Sequence, residues 1–499
     1  MRPAQDAGGD DMQSGFTHTI DGRGEPSDAS FEVINPGTGA PFAACPDASR
    51  EQLDRAVAAA RRAFGSWRET TTAERRERLR GFAQALKARS NEIATLLTRE
   101  QGKPFARAHD ELNRAFANLE GLLAIELKPE LLRDNERGHV ELQYHPLGVV
   151  GAITPWNVPV LLALPKITQS LYTGNTLVLK PSPYTPLTTL LIGEIAREHF
   201  PPGVVNVVAG GNDLGAWMTE HPGIDKISFT GSVATGKRVM ASAAGTLKRV
   251  TLELGGNDAA IVLDDIDVKA LAPRLFWACF GNSGQICMAI KRLYVHEKVY
   301  DAVCDALVEI ARKVKVGEGF EDGVLMGPVQ NRMQYERVLE LIEDTRRQNA
   351  RILCGGEALP RPGYFIAPTI VADIAEGTRL VDEEPFGPVL PVIRFSDVDD
   401  VVRRANDTRF GLSGSVWSAD PARARAIAQR LEVGTAWINH HVGVEYDVPF
   451  GGTKESGIGR EYGAQGLKHY TETRAVSVPV LPPMGPMGPA ATLAGAPRR

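Results

Sequence analysis

Between residues 149 and 254 the chain alternates short apolar runs with helical segments, and this rhythm constrains the fold more than any other feature. Strands are expected at 149–153, 176–179, 204–208, 226–229 and 249–254, with helices between them near 160–172, 187–199, 212–220 and 234–243. Strands separated by helices form a parallel sheet with right-handed crossovers, and such a doubly wound sheet gathers ligands at the carboxyl ends of its strands. A second α/β run follows Glu253. Its expected strands are 259–263, 292–296, 369–371, 391–395 and 434–439, and its helices lie near 267–281, 299–314, 329–348 and 421–431. A chain of 499 residues is long enough for two or three domains.

Upstream, strands are expected at 31–35 and 42–44 around a Pro36-Gly37 turn. Ser49 with Gln52 and Thr71 with Glu74 read as capping boxes that open helices, the second running to about 100. A further helix is expected over about 103–125, and exposed strands at 139–144 (HVELQY) and 475–480. The polar residues 1–15 read as a disordered tail, and the Pro/Gly/Ala-rich 483–499 as a flexible one.

The charge pattern excludes some classes. A net charge of −5 with no long Lys/Arg block argues against nucleic-acid binding. Five scattered cysteines form no disulfide framework, and neither Cys-x-x-Cys nor His-x-x-x-His pairs supply metal-ligand spacing, so no metal is expected. The N-terminus lacks an apolar signal region, and the uncharged stretch 147–165 is broken by Pro155, Trp156, Asn157 and Pro159. The expected place is the cytoplasm, away from any membrane.

Four places could carry chemistry. No G-x-G-x-x-G occurs, and Gly231 to Arg238 (GSVATGKR) fails the ATPase pattern at Arg238, where a magnesium-binding Ser/Thr would stand. The same segment still turns a strand into a helix, whose N-terminus favours an anion; an ordinary strand-to-helix turn reads equally well. Cys287 follows Asn282-Ser283-Gly284-Gln285, a polar loop suited to an accessible thiol, although lone cysteines are most often buried hydrophobes. Glu253 stands at a strand end before Gly255-Gly256, as a functional carboxylate or a solvated one. Asn157, between Pro155 and Pro159, is a preorganised amide donor or a simple turn residue.

Taken together and in order, these segments resemble the NAD(P)-dependent aldehyde dehydrogenase superfamily over about residues 16–480. The resemblance rests on Pro155-Trp156-Asn157, Lys180-Pro181-Ser182, Phe229-Thr230-Gly231-Ser232, Leu252-Glu253-Leu254-Gly255-Gly256, Gly284-Gln285-Ile286-Cys287, Glu383-Glu384-Pro385-Phe386-Gly387-Pro388 and Pro449-Phe450-Gly451-Gly452. It implies a Rossmann-like cofactor domain (16–127 and 147–255), an α/β catalytic domain (256–465) and a small β oligomerisation element (128–146 and 466–482). A homodimer or homotetramer is the implied assembly.

The resemblance also implies roles. Cys287 would be the nucleophile, Glu253 the general base, and Asn157 an oxyanion donor with the Cys287 backbone amide. Lys166 matches a lysine near the active site. Lys180 would bind the adenine-side ribose, Gly231 and Ser232 the pyrophosphate, and Glu384 the nicotinamide-side ribose; Ile153, Trp156, Ser182, Leu254 and Phe386 complete the cofactor contacts. The implied reaction oxidises an aldehyde to the acid through a cysteine thioester, hydrolysed by water that Glu253 activates. The rivals are a coenzyme-A-acylating enzyme, whose members typically lack the base, and a non-catalytic nucleotide-binding relative.

Two features set this chain apart. Pro183 stands where many members carry a Glu that rejects a 2′-phosphate, so NADP is open beside NAD, the expected cofactor. Ile286 and Met288 flank Cys287 and, with Leu162 and His441, suggest an apolar acyl pocket. The loop 440–448 holds two acids and no Lys or Arg, so an aldehyde carrying a second carboxylate is expected to be disfavoured.

Overall fold

The computed structural model describes residues 15–480. Residues 481 and 482 of the expected oligomerisation element lie outside the described residues, as do the expected tails at 1–15 (but for Gly15) and 483–499.

Two large sheets form the body. In the first, five parallel strands run in the order Val205–Val207, Thr176–Lys180, Val149–Ile153, Lys226–Thr230 and Arg249–Glu253. The order reverses direction between Val149–Ile153 and Lys226–Thr230, which makes their carboxyl ends the switch point of a doubly wound sheet. Antiparallel strands close both edges, His18–Ile20 against Val207 and Gly457–Ile458 against Leu252 and Glu253. The near-continuous apolar runs have a physical reason. Val150, Ala152, Leu177 and Leu179 pack into the core on one face, while Val149, Ile153, Val178 and Ile227 pack into the core on the other.

The second sheet is ordered Arg351–Cys354, Thr369–Ala372, Val389–Phe395, Ile290–His296, Asp258–Val262, Ser413–Trp417 and Thr435–Ile438, parallel except for the first strand. It too is buried on both faces, with Ile261 in one cluster and Ala260 and Val262 in the other. A third, three-stranded antiparallel sheet pairs Thr471–Pro479 with Gly138–Pro146, and that strand with Glu130–Asn135. No helix among the described residues is long and apolar enough to cross a membrane.

Both capping boxes form, at Ser49 and Thr71. The helix expected to run on to about 100 instead breaks at Arg89 (φ −101, ψ 16) into Thr72–Ala88 and Ser90–Gln101. The break lets Leu79, Phe82, Leu86, Ile93 and Leu97 all reach one core. The central strand Ser413–Trp417 and the helix Val398–Asn406 occupy segments to which the sequence reading assigns no element.

Candidate active site

The switch point is built to receive something polar. Thr154 Oγ1 and Thr230 Oγ1 are buried there without a hydrogen-bond partner among the described residues. Beside them Ser232 caps the helix Val233–Ala244, its Oγ accepting from Thr235 N at 3.3 Å. Gly231 N donates to Glu253 O at 3.0 Å, and a Cβ on Gly231 would lie 2.5 Å from the Phe229 ring. Leu254 is buried against Gly236 of that helix, and Ile153 lies at the crevice floor, 9% exposed.

Lys180 ends the neighbouring strand. Its Nζ is buried and, among the described residues, reaches the Pro181 carbonyl alone, at 3.3 Å, and burial draws its pKa down to about 8, with Asp47 and Cys45 pulling the other way. Ser182 Oγ accepts from Tyr184 N at 3.3 Å. A buried cation short of partners, orphan hydroxyls and a helix N-terminus suit an anionic dinucleotide. Across the crevice Glu384 accepts from Gly256 N at 3.2 Å and pairs with Lys291 at 3.0 Å. Phe386, held at φ 45, meets Trp156 edge to face at 5.3 Å.

The loop that leads into Cys287 has an unusual backbone. Asn282, Ser283 and Gly284 are all left-handed, with φ of 50, 57 and 74. Gln285 locks the turn: its Nε2 donates to Asn282 O at 2.9 Å and its Oε1 accepts from Gln330 N at 2.8 Å. Asn157 ties the loop to the cofactor domain, because its Nδ2 donates to Gln285 O at 2.8 Å while its own carbonyl accepts from Asn282 Nδ2 at 2.9 Å. Cys287 follows, partly buried, with its carbonyl bonded to Lys291. Burial pushes its thiol up to about 12; Lys291 opposes that, while Glu384, Asp258 and Glu253 add to it. The resting side chain is therefore a neutral thiol, within electrostatic reach of Glu253.

Glu253 is buried, and neither of its carboxyl oxygens has a hydrogen-bond partner among the described residues. Burial first, and then Glu461, raises its pKa well above the usual carboxylate range, against Lys166 and Arg460. Below it lies a dense polar cluster. Lys166 is ion-paired with Glu461 and donates to Ser228 Oγ at 2.9 Å, and Tyr470 OH donates to the same Oγ at 3.0 Å. The polar contacts of Lys166 are thus with Glu461 and Ser228.

A cavity of 390 Å³ opens beside the loop, walled by Val158, Leu161, Trp277, Ile286 and His441. Leu162 and Met288, expected in the pocket, do not line it. One residue along a helix turns the side chain by about 100°, so Leu161 faces the cavity in place of Leu162. Met288 instead packs with Cys287 on Leu122, Leu412, Phe450 and Tyr462. His441 is a neutral pin: Nδ1 lies 2.7 Å from Ser415 Oγ and Nε2 2.9 Å from Met288 O, and burial lowers its pKa to about 3. The loop 440–448 gives the cavity His440, His441 and Val442 but neither of its acids. Cations enter from other elements, as Lys103, Arg107, Arg114 and Arg274. The charge around the cavity is therefore not the one that the loop's two acids suggest.

Sequence reasoning missed Lys291, Glu461 and the cavity arginines. Lys291 carried a signal, a lone lysine four residues after Cys287 inside a buried strand. The spacing of Arg107 and Arg114 also carried one, since two helical turns place them on one face.

A sequence model of the aldehyde dehydrogenase family matches residues 24–476. The chain is 40% identical over 463 residues to the aldehyde dehydrogenase LUC3 of a Fusarium species, covering 92% of this chain and 98% of that one. It is 39% identical over 460 residues to the chloroplastic betaine aldehyde dehydrogenase of Beta vulgaris, covering 89% and 92%. Among solved structures, the NAD+ complex of an aldehyde dehydrogenase from Bacillus cereus matches with a TM-score of 0.91 at 38% identity, covering 94% of this chain and 97% of that chain.

Proposed function

Because this chain belongs to the aldehyde dehydrogenase family and is an NAD(P)-dependent aldehyde dehydrogenase, we propose that it works through a covalent thioester on Cys287 that water hydrolyses to the free acid. Ile153, Trp156, Lys180, Ser182, Gly231, Ser232 and Leu254 hold the adenosine and pyrophosphate side of the cofactor. Glu384 and Phe386 hold the nicotinamide side. When bound, the nicotinamide takes up the hydride that the oxidation releases.

Cys287 gives its thiol proton to water, and the thiolate attacks the aldehyde carbon. The oxyanion that forms is met by the Cys287 backbone N–H and by Asn157. The Asn157 amide has two N–H bonds; one is donated to Gln285 O and fixes the side chain, which leaves the other for the oxyanion. Oxidation leaves the acyl group on sulfur. Glu253 then takes a proton from water, which attacks the thioester. Lys166, through Glu461 and Ser228, positions the charge that sets the proton affinity of Glu253.

The observation that carries this reading is the buried Glu253 carboxyl, free of hydrogen bonds and in electrostatic reach of Cys287. A base that must exchange protons with water is left unpaired, whereas a structural carboxyl at such a depth would be satisfied. Glu253→Gln tests it. The variant should release about one equivalent of reduced cofactor per site in a burst and then turn over slowly, while Cys287→Ala shows neither phase. Unchanged steady-state turnover in Glu253→Gln would remove it from the base role, and turnover that requires coenzyme A would establish the acylating alternative.

NAD is the preferred cofactor in this reading, and the missing carboxylate at Pro183 leaves NADP usable. The enzyme acts in the cytoplasm as a homodimer or homotetramer. The element 128–146 with 466–482 joins its copies, while 16–127 with 147–255 binds cofactor and 256–465 carries the thiol.

A further inference from the structure

The cavity that reaches the nucleophile loop is cationic in a protein whose net charge is −5. Its wall carries four cationic side chains, Lys103, Arg107, Arg114 and Arg274, against two carboxylates, Asp110 and Glu111. Both carboxylates are already engaged. Glu111 is buried, ion-paired with Lys103, and accepts from Val160 N at 2.9 Å and Leu161 N at 3.1 Å, so it caps the helix Pro159–Tyr172 that otherwise lacks a side-chain cap. Asp110 pairs with Arg107 at 3.0 Å. Arg274 bonds the Asn439 carbonyl and lies 5.3 Å over the Trp417 ring.

Arg114 differs. It lines the same cavity from the helix Phe105–Ala124, on the face that carries Arg107, and it makes no hydrogen bond, ion pair or ring contact among the described residues. The cavity therefore has a chemical polarity. At one end stand Val158, Leu161 and Ile286, next in sequence or one helical turn from Asn157 and Cys287. Arg114, exposed and unengaged, lines the same cavity with Arg107 and Arg274. A cavity that combines apolar side chains beside Asn157 and Cys287 in the chain with a free guanidinium suits an unbranched substrate with an aldehyde at one end and an anion at the other.

Resting on the aldehyde-oxidising reading above, we propose that the substrate is an ω-carboxylated aldehyde whose carboxylate is held by Arg114, so that the product is a dicarboxylate. Guanidinium matches a carboxylate with two parallel N–H···O bonds, and a cavity lined by more cations than carboxylates draws anions inward.

The test compares kcat/KM for 5-oxopentanoate and 6-oxohexanoate with pentanal and hexanal, in the wild-type holoenzyme and in Arg114→Ala and Arg114→Lys. The carboxylated members should be preferred at least about tenfold, the worth of one charge-assisted pair. The preference should collapse toward unity in Arg114→Ala, survive in part in Arg114→Lys, and weaken with added salt. A loss of folded enzyme would scale both aldehyde classes alike, so the ratio reads the contact alone. Equal or better use of the neutral aldehydes by the wild type, or an undiminished ratio in Arg114→Ala, overturns the proposal while leaving the aldehyde-oxidising reading intact. Failure to oxidise either class overturns that reading instead.

Discussion

Glu253 makes the site pH-sensitive in a direction that its burial fixes. Its folded pKa stands well above the unfolded value because burial and Glu461 penalise the anion. Between the two values the folded state keeps a proton that the unfolded chain has lost, so this carboxyl's contribution to stability falls as pH rises through that window. Glutamine cannot ionise and carries no such loss. Glu253→Gln should therefore melt higher than the parent at pH 8, with the gap narrowing at pH 5; scanning calorimetry at the two values reads the trend, and a gap that widens toward acid would refute the assignment. Asn157 makes a different prediction. It tethers the loop through Gln285 and Asn282 and is the proposed oxyanion donor, so Asn157→Ala should lower kcat by roughly 10²–10³ and blunt the burst, with little change in cofactor KM.

At the scale of elements, Gly255 and Gly256 follow the strand Arg249–Glu253 and separate two functions. A Cβ on Gly255 would run into the tip of the Glu384 side chain, a flexible group that can swing away. On Gly256 it would lie 2.7 Å from the Cys287 carbonyl oxygen and 2.8 Å from Leu412 Cβ, where backbone must move. Gly255→Ala should raise cofactor KM with a near-parental melting temperature, and Gly256→Ala should lower both the melting temperature and the thiol titre of active sites. Both glycines were legible as a motif, but which neighbour each one admits was not. The same limit applies elsewhere. The strands of the first sheet could be read because burial on both faces keeps them apolar throughout. Ser413–Trp417 (SGSVW) received no element from the sequence, and is an interior strand in which Ser415 bonds Trp417 Nε1 and His441 inside the core. The left-handed run Asn282-Ser283-Gly284 leaves a trace only at its glycine. The cavity's charge was not legible in the loop 440–448, since its cations come from the stretch 103–114 and from Arg274.

At the scale of the whole molecule, the three-stranded sheet stands apart from both cores. Nine residue pairs join Thr471–Pro479 to Gly138–Pro146, from Thr471 opposite Pro146 to Pro479 opposite Gly138, so the two ends of the proposed oligomerisation element are locked together. Its outer strand Glu130–Asn135 carries Leu131 and Leu132, 60% and 58% exposed, and Val478 on the far strand is 60% exposed. Neighbouring residues of a strand point to opposite faces. Here the register shifts between Leu131 and Arg133, and both leucines stay exposed on an outer strand that is paired on one side alone among the described residues. A strand edge with uncovered apolar side chains is a template for pairing, and a second copy of the chain is the partner that satisfies it without aggregation. Light scattering should accordingly give a mass that is a multiple of 54.0 kDa. Leu132→Asp combined with Val478→Asp places a charge on each of the two outer strands of this sheet and should shift the particle toward the single-chain mass. A parent that already scatters as one chain, or a double variant that keeps its full mass, would place the assembly contact on another surface.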